Sequence, residues 1–266
     1  MTCSFGRCLM AVCLVATGSL AASAQTPPAT LQRLASPVDT IRVHTFYALS
    51  ASTRVVPGTR ASEPRVAGLA ERAKRDRQLA DALIALLHRE NQLMRTGAPS
   101  ASIAHEDMMD YRLDLSGTVA AMRDPASVAE LIPWVSTGGT VRDAVISFGE
   151  VSVPGLMAAL TDTAETQRIA AASDLGRIAS DSTRSISASA RAAIRTALLH
   201  VLNGDERVIE VRLNAIYALL TFTEGDVRST MVRLAVSDTL SASSAAYRVR
   251  YPVREAAKAW LAKHPR

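Results

Sequence analysis

The second half of the chain repeats one apolar spacing, and this repetition constrains the fold more than any other feature. Four segments place apolar residues at positions i, i+3, i+4 and i+7, which lie on one face of an α-helix. The four sets are Val128, Leu131, Ile132 and Val135; Val153, Leu156, Met157 and Leu160; Ile194, Ala197, Leu198 and Val201; and Val227, Thr230, Met231 and Leu234. Only Thr230 breaks the rule. The spacing predicts four amphipathic helices, each with one buried face.

A second set of four segments alternates with the first, and its members share an arginine. The arginine directly follows the first residue of the spacing in each segment, at Arg142, Arg168, Arg212 and Arg254. In the segment that begins at Gln167, Asp174 occupies the fourth apolar position. Eight amphipathic segments in alternating order predict four helix pairs in series.

Two of these segments, "VPGLMAALTD" and "QRIAAASDLGRI", resemble a HEAT-like repeat of the short bacterial type first named for phycobilisome lyases. The resemblance covers roughly residues 119–266. It implies an all-α fold, an α-solenoid of stacked antiparallel helix pairs in which each unit packs only on its neighbours. It also implies a structural role for the shared arginine, which in such arrays usually ties acidic loop residues to the helix pair. The acidic residues that follow the predicted first helices are Asp162, Asp205 and Asp238.

The intervals between the shared arginines are uneven. They are 26, 44 and 42 residues, counted from Arg142 through Arg168 and Arg212 to Arg254. We attribute the excess to insertions between the two helices of the third pair and of the fourth pair. Pro133 falls inside the spacing that begins at Val128, so we expect that helix to start late or to be kinked.

The chain divides into four parts by composition. We predict a signal peptide over 1–24, an irregular leader over 25–65, N-terminal capping helices over 66–122, and the repeat array of about four pairs over 123–266. The leader is rich in Pro, Gly, Ser and Thr, although Val38–Val56 alternates in a way that fits either a short strand or a short helix. The capping helices are expected at Val66–Met94, ended by Gly97 and Pro99, and at Ala104–Met122.

The first 24 residues have the parts of a secretory signal. Arg7 precedes the mostly apolar run Leu9–Leu20, and Ala22-Ser23-Ala24 forms an A-x-A cleavage site. We therefore expect an exported protein, periplasmic or extracellular after cleavage near Ala24. The cysteines, Cys3, Cys8 and Cys13, all lie before that site. No later apolar run approaches the roughly 20 residues that a transmembrane helix needs.

Motifs for catalysis, cofactors and metals are missing from the sequence. The five histidines are isolated, and adjacent residues such as His105, Glu106 and Asp107 would point in different directions on a helix. The chain has no G-x-S-x-G elbow and no Gly-rich phosphate loop. We therefore predict no catalytic residue, no cofactor and no metal ligand, although a motif search does not detect a site assembled across repeats.

One segment combines basic and aromatic residues in the way of a binding surface. Tyr247, Arg248, Arg250 and Tyr251 lie in the insertion of residues 239–254. Arginine and tyrosine are enriched in binding hot spots, and a guanidinium group pairs with carboxylates in a forked geometry. We expect these four side chains to be largely exposed and Arg254 to turn inward. The alternative is that the insertion only caps the last repeat.

These observations favour a non-enzymatic secreted or periplasmic scaffold that binds a protein or peptide. Nucleic acid is not expected as a partner, because the net charge is only +5, aromatic residues are few, and the chain is exported. One alternative is a lyase-type or other enzyme with a site assembled across repeats. Chromophore attachment is cytosolic, however, so the export signal argues against a lyase. A second alternative is a structural partner at the membrane surface or cell wall, led by the helix at 66–94.

Overall fold

The computed structural model describes residues 25–51, 63–97, 100, 102–183, 185–242 and 250–265, and every regular element in them is helical. The predicted all-α class is therefore confirmed for the described part of the chain. The α-helices are α1 (Pro28–Leu34), α2 (Asp39–Ala51), α3 (Glu63–Ala73), α4 (Arg77–Thr96), α5 (His105–Met122), α6 (Val128–Leu131), α7 (Gly139–Ser147), α8 (Val153–Ala159), α9 (Glu165–Ser180), α10 (Ala188–Asn203), α11 (Ile209–Ala218), α12 (Gly225–Ser237) and α13 (Pro252–Lys263). None of these helices has the length and apolar character needed to cross a membrane.

The predicted first and second segments form helices that pack in pairs along the chain. The second helices α7, α9, α11 and α13 contact one another in that order. Each of them also packs against the first helix that precedes it, and α10 contacts both α8 and α12. The apolar positions that defined the repeat face inward: Leu156, Leu198 and Leu234 have no exposed surface. One continuous apolar core therefore runs through the paired helices.

The helices α9 and α11 approach each other closely at a glycine. A Cβ atom added to Gly176 would lie 2.6 Å from both Cα and Cβ of Ala218. Only a residue without a side chain fits at this contact, because ordinary carbon contacts begin at about 3.5 Å. Gly176 thus sets the spacing between two successive second helices.

Pro133 changes the first helix of the array, as expected. Helix α6 ends at Leu131, and a 3-10 helix continues from Ile132 to Thr137 with the proline in its first turn. The ring of Pro133 cannot donate a backbone hydrogen bond, and a tighter short helix accommodates it there. The 3-10 helix carries the buried Trp134, whose Nε1–H donates to Oδ1 of Asn91 on α4 at 2.8 Å. This bond joins the array to the helices before it.

The predicted irregular leader over 25–65 is wrong for residues 28–34, which form α1. Of the two alternatives for Val38–Val56, the short helix is confirmed over residues 39–51, which form α2, and the strand is wrong there. Phe46 and Leu49 on α2 are buried, and Phe46 meets the ring of Tyr111 edge-on at 5.5 Å between centroids. Proline and serine mark the ends of these helices, and packing against α4 and α5 stabilises what lies between. Residues 52–62 lie outside the described part.

The single helix predicted over Val66–Met94 is also wrong, because the structure has two helices there. Helix α3 ends at Ala73, and α4 begins at Arg77. The carboxylate of Asp76 caps α4 by accepting a bond from the backbone N–H of Leu79 at 3.2 Å. The predicted end of α4 is confirmed, since Gly97 takes the left-handed conformation there with φ of 64°. Helix α5 matches the prediction of Ala104–Met122 within one residue.

One of the two predicted insertions is misplaced. The helices of the third pair, α10 and α11, are joined by only residues 204–208, so no insertion lies between them. The extra length of this repeat comes from the 16 residues of α10 and from the connection before it. The insertion in the fourth pair is present, because residues 238–251 separate α12 from α13.

Candidate functional site

The shared arginines of the second helices bond to other parts of the chain. The Nε of Arg142 donates to Oδ1 of Asp174 at 2.5 Å, and its Nη2 donates to Oγ of Ser173 at 2.7 Å. Asp174 has no exposed surface, and burial raises the pKa of its carboxyl to about 6, while the Arg142 guanidinium acts in the opposite direction. This arginine therefore holds a buried acid of the next repeat.

The next two arginines bind connections and the acids in them. Arg168 donates to the carboxylate of Glu206 at 2.8 Å and to the backbone oxygen of Asp162 at 2.9 Å. Arg212 pairs with Asp238, with Nη2 and Oδ2 at 2.5 Å, and both side chains are buried. Asp162 and Asp238 are two of the loop acids that the repeat pattern singled out. These contacts give the arginines structural partners inside the array.

The insertion in the last pair is attached at a defined point. Asp238, the residue directly before it, accepts bonds from Arg212 through its carboxylate and from Nε of Arg254 through its backbone oxygen. The N–H of Ala242 donates to the backbone oxygen of Arg250 at 2.8 Å. Ala242 and Arg250 therefore lie side by side.

Two of the four predicted partner-binding residues lie in the described part. Arg250 is exposed, and its guanidinium carbon lies 5.3 Å from the centroid of the Tyr251 ring. Tyr251 is half-buried rather than largely exposed as expected, because Arg254 packs over the same ring at 4.3 Å. Arg254 is half-buried and directed to Asp238, in line with the expected inward orientation. Tyr247 and Arg248 lie outside the described residues.

The structure also reveals a buried ionic cluster that sequence reasoning missed. Glu90 on α4 has no exposed surface and accepts bonds from two arginines, Arg42 on α2 and Arg112 on α5. Oε1 lies 3.1 and 2.9 Å from Nε and Nη2 of Arg42, and Oε2 lies 3.1 Å from Nε of Arg112. In the sequence Glu90 interrupts an apolar stripe. This position could have predicted the cluster, because an acid on a buried helix face requires a cationic partner.

Within the described ranges, no group of three or more His, Cys, Asp or Glu side chains lies close enough together to hold a metal ion. His105, Glu106 and Asp107 are all exposed at the start of α5. His88 contacts Glu130 at 2.7 Å and lies on the surface.

No protein-family model matches the chain. A search of curated proteins finds no significant match. The resemblance to HEAT-like repeats therefore depends on the sequence pattern alone.

Proposed function

We propose that the protein is a non-enzymatic, exported scaffold in which residues 123–266 form a HEAT-like α-solenoid that binds a protein or peptide. The contact order of the helices supports the solenoid, because each second helix packs on the next one along the chain. The bonds of the shared arginines support it as well, since they tie helices to connecting acids. The assignment of function to this shape is an analogy at the level of the fold.

The observation that carries the proposal is the attachment of the insertion at 239–254. Asp238, the residue directly before the insertion, is bonded to Arg212 and Arg254. A backbone hydrogen bond between Ala242 and Arg250 connects two points of the insertion. The exposed guanidinium of Arg250 is thereby presented from a supported position. An exposed arginine recognises carboxylates through its forked guanidinium group. A residue whose backbone is already held in place loses less conformational entropy on binding. The partner surface is accordingly acidic.

The alternative at the membrane surface receives less support. Two of the basic side chains at the start of the 66–94 segment are engaged by acids: Lys74 pairs with Glu71, and Arg77 pairs with Asp81 and Asp124. A membrane-surface helix needs a predominantly basic face. This region therefore fits the N-terminal cap of the array better.

The binding proposal is tested by replacing Arg248 and Arg250 together with alanine. A matched control replaces Arg75 and Arg207, two exposed arginines elsewhere, so that the net charge changes equally. Proteins crosslinked to each variant in intact envelopes are purified and quantified by mass spectrometry. We expect a specific partner to be depleted with the first variant and retained with the control. Thermal stability should stay nearly unchanged in both, within about 0.5 kcal/mol.

Two results would contradict this proposal. If the Arg248 and Arg250 variant unfolds several degrees early while partner recovery is intact, the insertion is a structural cap. If both variants lose the partner equally, the interaction depends on net charge and not on the insertion. Partner recovery at several salt concentrations adds a further test. Recovery that depends on surface charge should fall as the salt concentration rises, because salt screens the attraction.

Export is proposed on the signal-like segment of residues 1–24 and is tested separately. N-terminal sequencing of protein recovered from the periplasm or the medium should start at Gln25. Cytosolic protein that retains Met1 would contradict export. That result would also remove the main objection to an enzyme.

A further inference from the structure

The buried cluster around Glu90 carries an excess of positive charge. Arg42 uses its whole guanidinium group, because Nε and Nη2 bond Glu90 while Nη1 bonds the backbone oxygens of Ser36 and Pro37 at 3.0 Å. Arg112 is used only in part: its Nε bonds Glu90, and its two terminal nitrogens have no partner among the described residues. One carboxylate thus serves two buried guanidinium groups.

Two further charged side chains act on the same cluster, those of Asp39 and Arg89. Asp39 accepts a hydrogen bond from Ser100, which holds the pKa of its carboxyl below the ordinary value, and Arg42 and Arg89 act in the same direction. Arg89 is half-buried, and its Nε has no hydrogen-bond partner in the described structure. The three arginines and the two acids therefore sum to one positive charge. An unpaired cation in a mostly buried site is costly unless an anion joins it.

Arg112 lines a cavity of about 380 Å³ between the end of α4 and the start of α5. Its side chain is 10% exposed and forms part of the lining. Five apolar side chains also line the cavity, from Leu93, Met94, Ile103, Met108 and Met109. Methionine side chains adapt to irregular apolar shapes. The cavity has the size of a small-molecule site, and such sites combine an apolar wall with a few placed polar groups.

We propose that this cavity binds a small aliphatic carboxylate, with the acid group on Arg112 and the alkyl chain among the methionines. The guanidinium fork matches the two oxygens of a carboxylate and is more weakly hydrated than an ammonium group. The bound anion neutralises the excess charge around Glu90. Among the described lining residues other than Arg112, the polar side chains are those of Ser100, which is half-buried, and His105, which is exposed. The site is independent of the proposed scaffold role, because it lies outside the repeat array.

The test uses protein labelled with ¹³C at the methionine methyl groups and titrated at neutral pH with octanoate. The methyl signals of Met94, Met108 and Met109 should shift in a saturable way, while those of Met157 and Met231, on α8 and α12, stay fixed. Octanol and octylamine serve as controls with the same chain. We expect both to bind at least about tenfold more weakly, because a hydrogen bond to a charged partner is lost. Octyl phosphate tests whether the head group is a carboxylate or a phosphate.

A cavity-filling variant keeps the test valid if changes at Arg112 disturb the fold. Met109→Phe should weaken octanoate binding at least about tenfold by occupying the site. Met157→Phe replaces an equally half-buried methionine outside the cavity and should leave binding unchanged. Arg112→Lys should keep the fold and lose most of the preference for octanoate over octanol, since an ammonium group lacks the fork.

Four results would overturn the proposal. Equal binding of octanoate and octanol would mean that Arg112 does not hold the head group. Shifts at Met157 and Met231 as large as those at Met108 would mean unspecific adsorption. Binding of octyl phosphate without octanoate would replace the carboxylate by a phosphate ligand. The absence of saturable shifts with octanoate would mean that Arg112 only completes the bonding of Glu90.

Discussion

The contact between α9 and α11 offers a direct test of how the helix pairs stack. Gly176→Ala adds one methyl group at a point where both Cα and Cβ of Ala218 would lie at 2.6 Å. The neighbouring atoms belong to a helix backbone and to a side chain with no rotatable torsion, so no rotamer change can relieve the overlap. The two helices must separate by about 1 Å to restore ordinary contact.

The size of the effect follows from two opposing terms. Overpacking of this kind costs about 1–3 kcal/mol, and we expect the upper end because the obstacle is backbone. Replacing glycine by alanine inside a helix returns about 1 kcal/mol through helix propensity. The net expectation is a loss of about 2 kcal/mol in the free energy of unfolding. For a chain of this size, the melting temperature should fall by about 4–8 °C.

Thermal and urea unfolding, followed by circular dichroism at the helical band, measure this loss. The control is Gly225→Ala at the start of α12, where an added Cβ meets nothing within 4 Å. That change should be neutral or slightly stabilising, because only the propensity term remains. If Gly176→Ala is as harmless as the control, α9 and α11 are not in contact as described, and the stacking account is refuted.

Three further predictions concern buried groups. Leu198→Ala should cost about 2–5 kcal/mol in unfolding experiments, since the side chain has no exposed surface, and a loss below about half a kcal/mol would mean the wrong helix face. The pKa of Asp174 is about 6 in the folded protein and lies above the unfolded value of 3.8, so the folded state binds more protons between the two. Stability should therefore rise by about 1 kcal/mol as pH falls from about 7 to about 5, and Asp174→Asn should remove that rise. Glu90→Gln should cost about 3–5 kcal/mol by leaving buried cations unpaired, whereas the exposed Glu71→Gln should change thermal stability little.

The sequence predicted the elements that depend on periodicity. The apolar spacing located the paired helices of the second half, and it placed Leu160 and Leu198 in the core, where both are buried. The shared arginines were assigned a structural role, and the bonds of Arg168 and Arg212 agree with it. The period of the apolar residues shows which face of each helix is buried. Knowing the buried faces is enough to predict that the helices pack in pairs.

The sequence failed where polar residues act at buried positions. Glu90 and Asp174 were read as interruptions of apolar stripes, but each is a buried acid with an arginine partner from another helix. Asp76 lay in a run of mixed charges and turned out to cap α4. Such partners are distant in the chain: Glu90 and Arg42 are 48 residues apart. A local pattern contains no information about them.

The sequence could not decide between strand and helix for residues 38–56 for a related reason. Helix α2 is stabilised by packing against elements that follow it, as the contact between Phe46 and Tyr111 shows. Tertiary contacts of this kind outweigh the weak local preferences of serine, threonine and proline. The same limit applies to the cavity beside Arg112, which is formed only when α4 and α5 are paired.

The central claim, that the insertion of residues 239–254 binds a partner, is tested most directly by photo-crosslinking in intact envelopes. A photoreactive phenylalanine analogue replaces Tyr251 in one protein, which leaves Arg250 in place, and the exposed Arg75 in another. The expected result is a discrete crosslinked partner at position 251, suppressed by excess unlabelled protein, and none at position 75. The same products from both positions, or none from position 251, would contradict the claim.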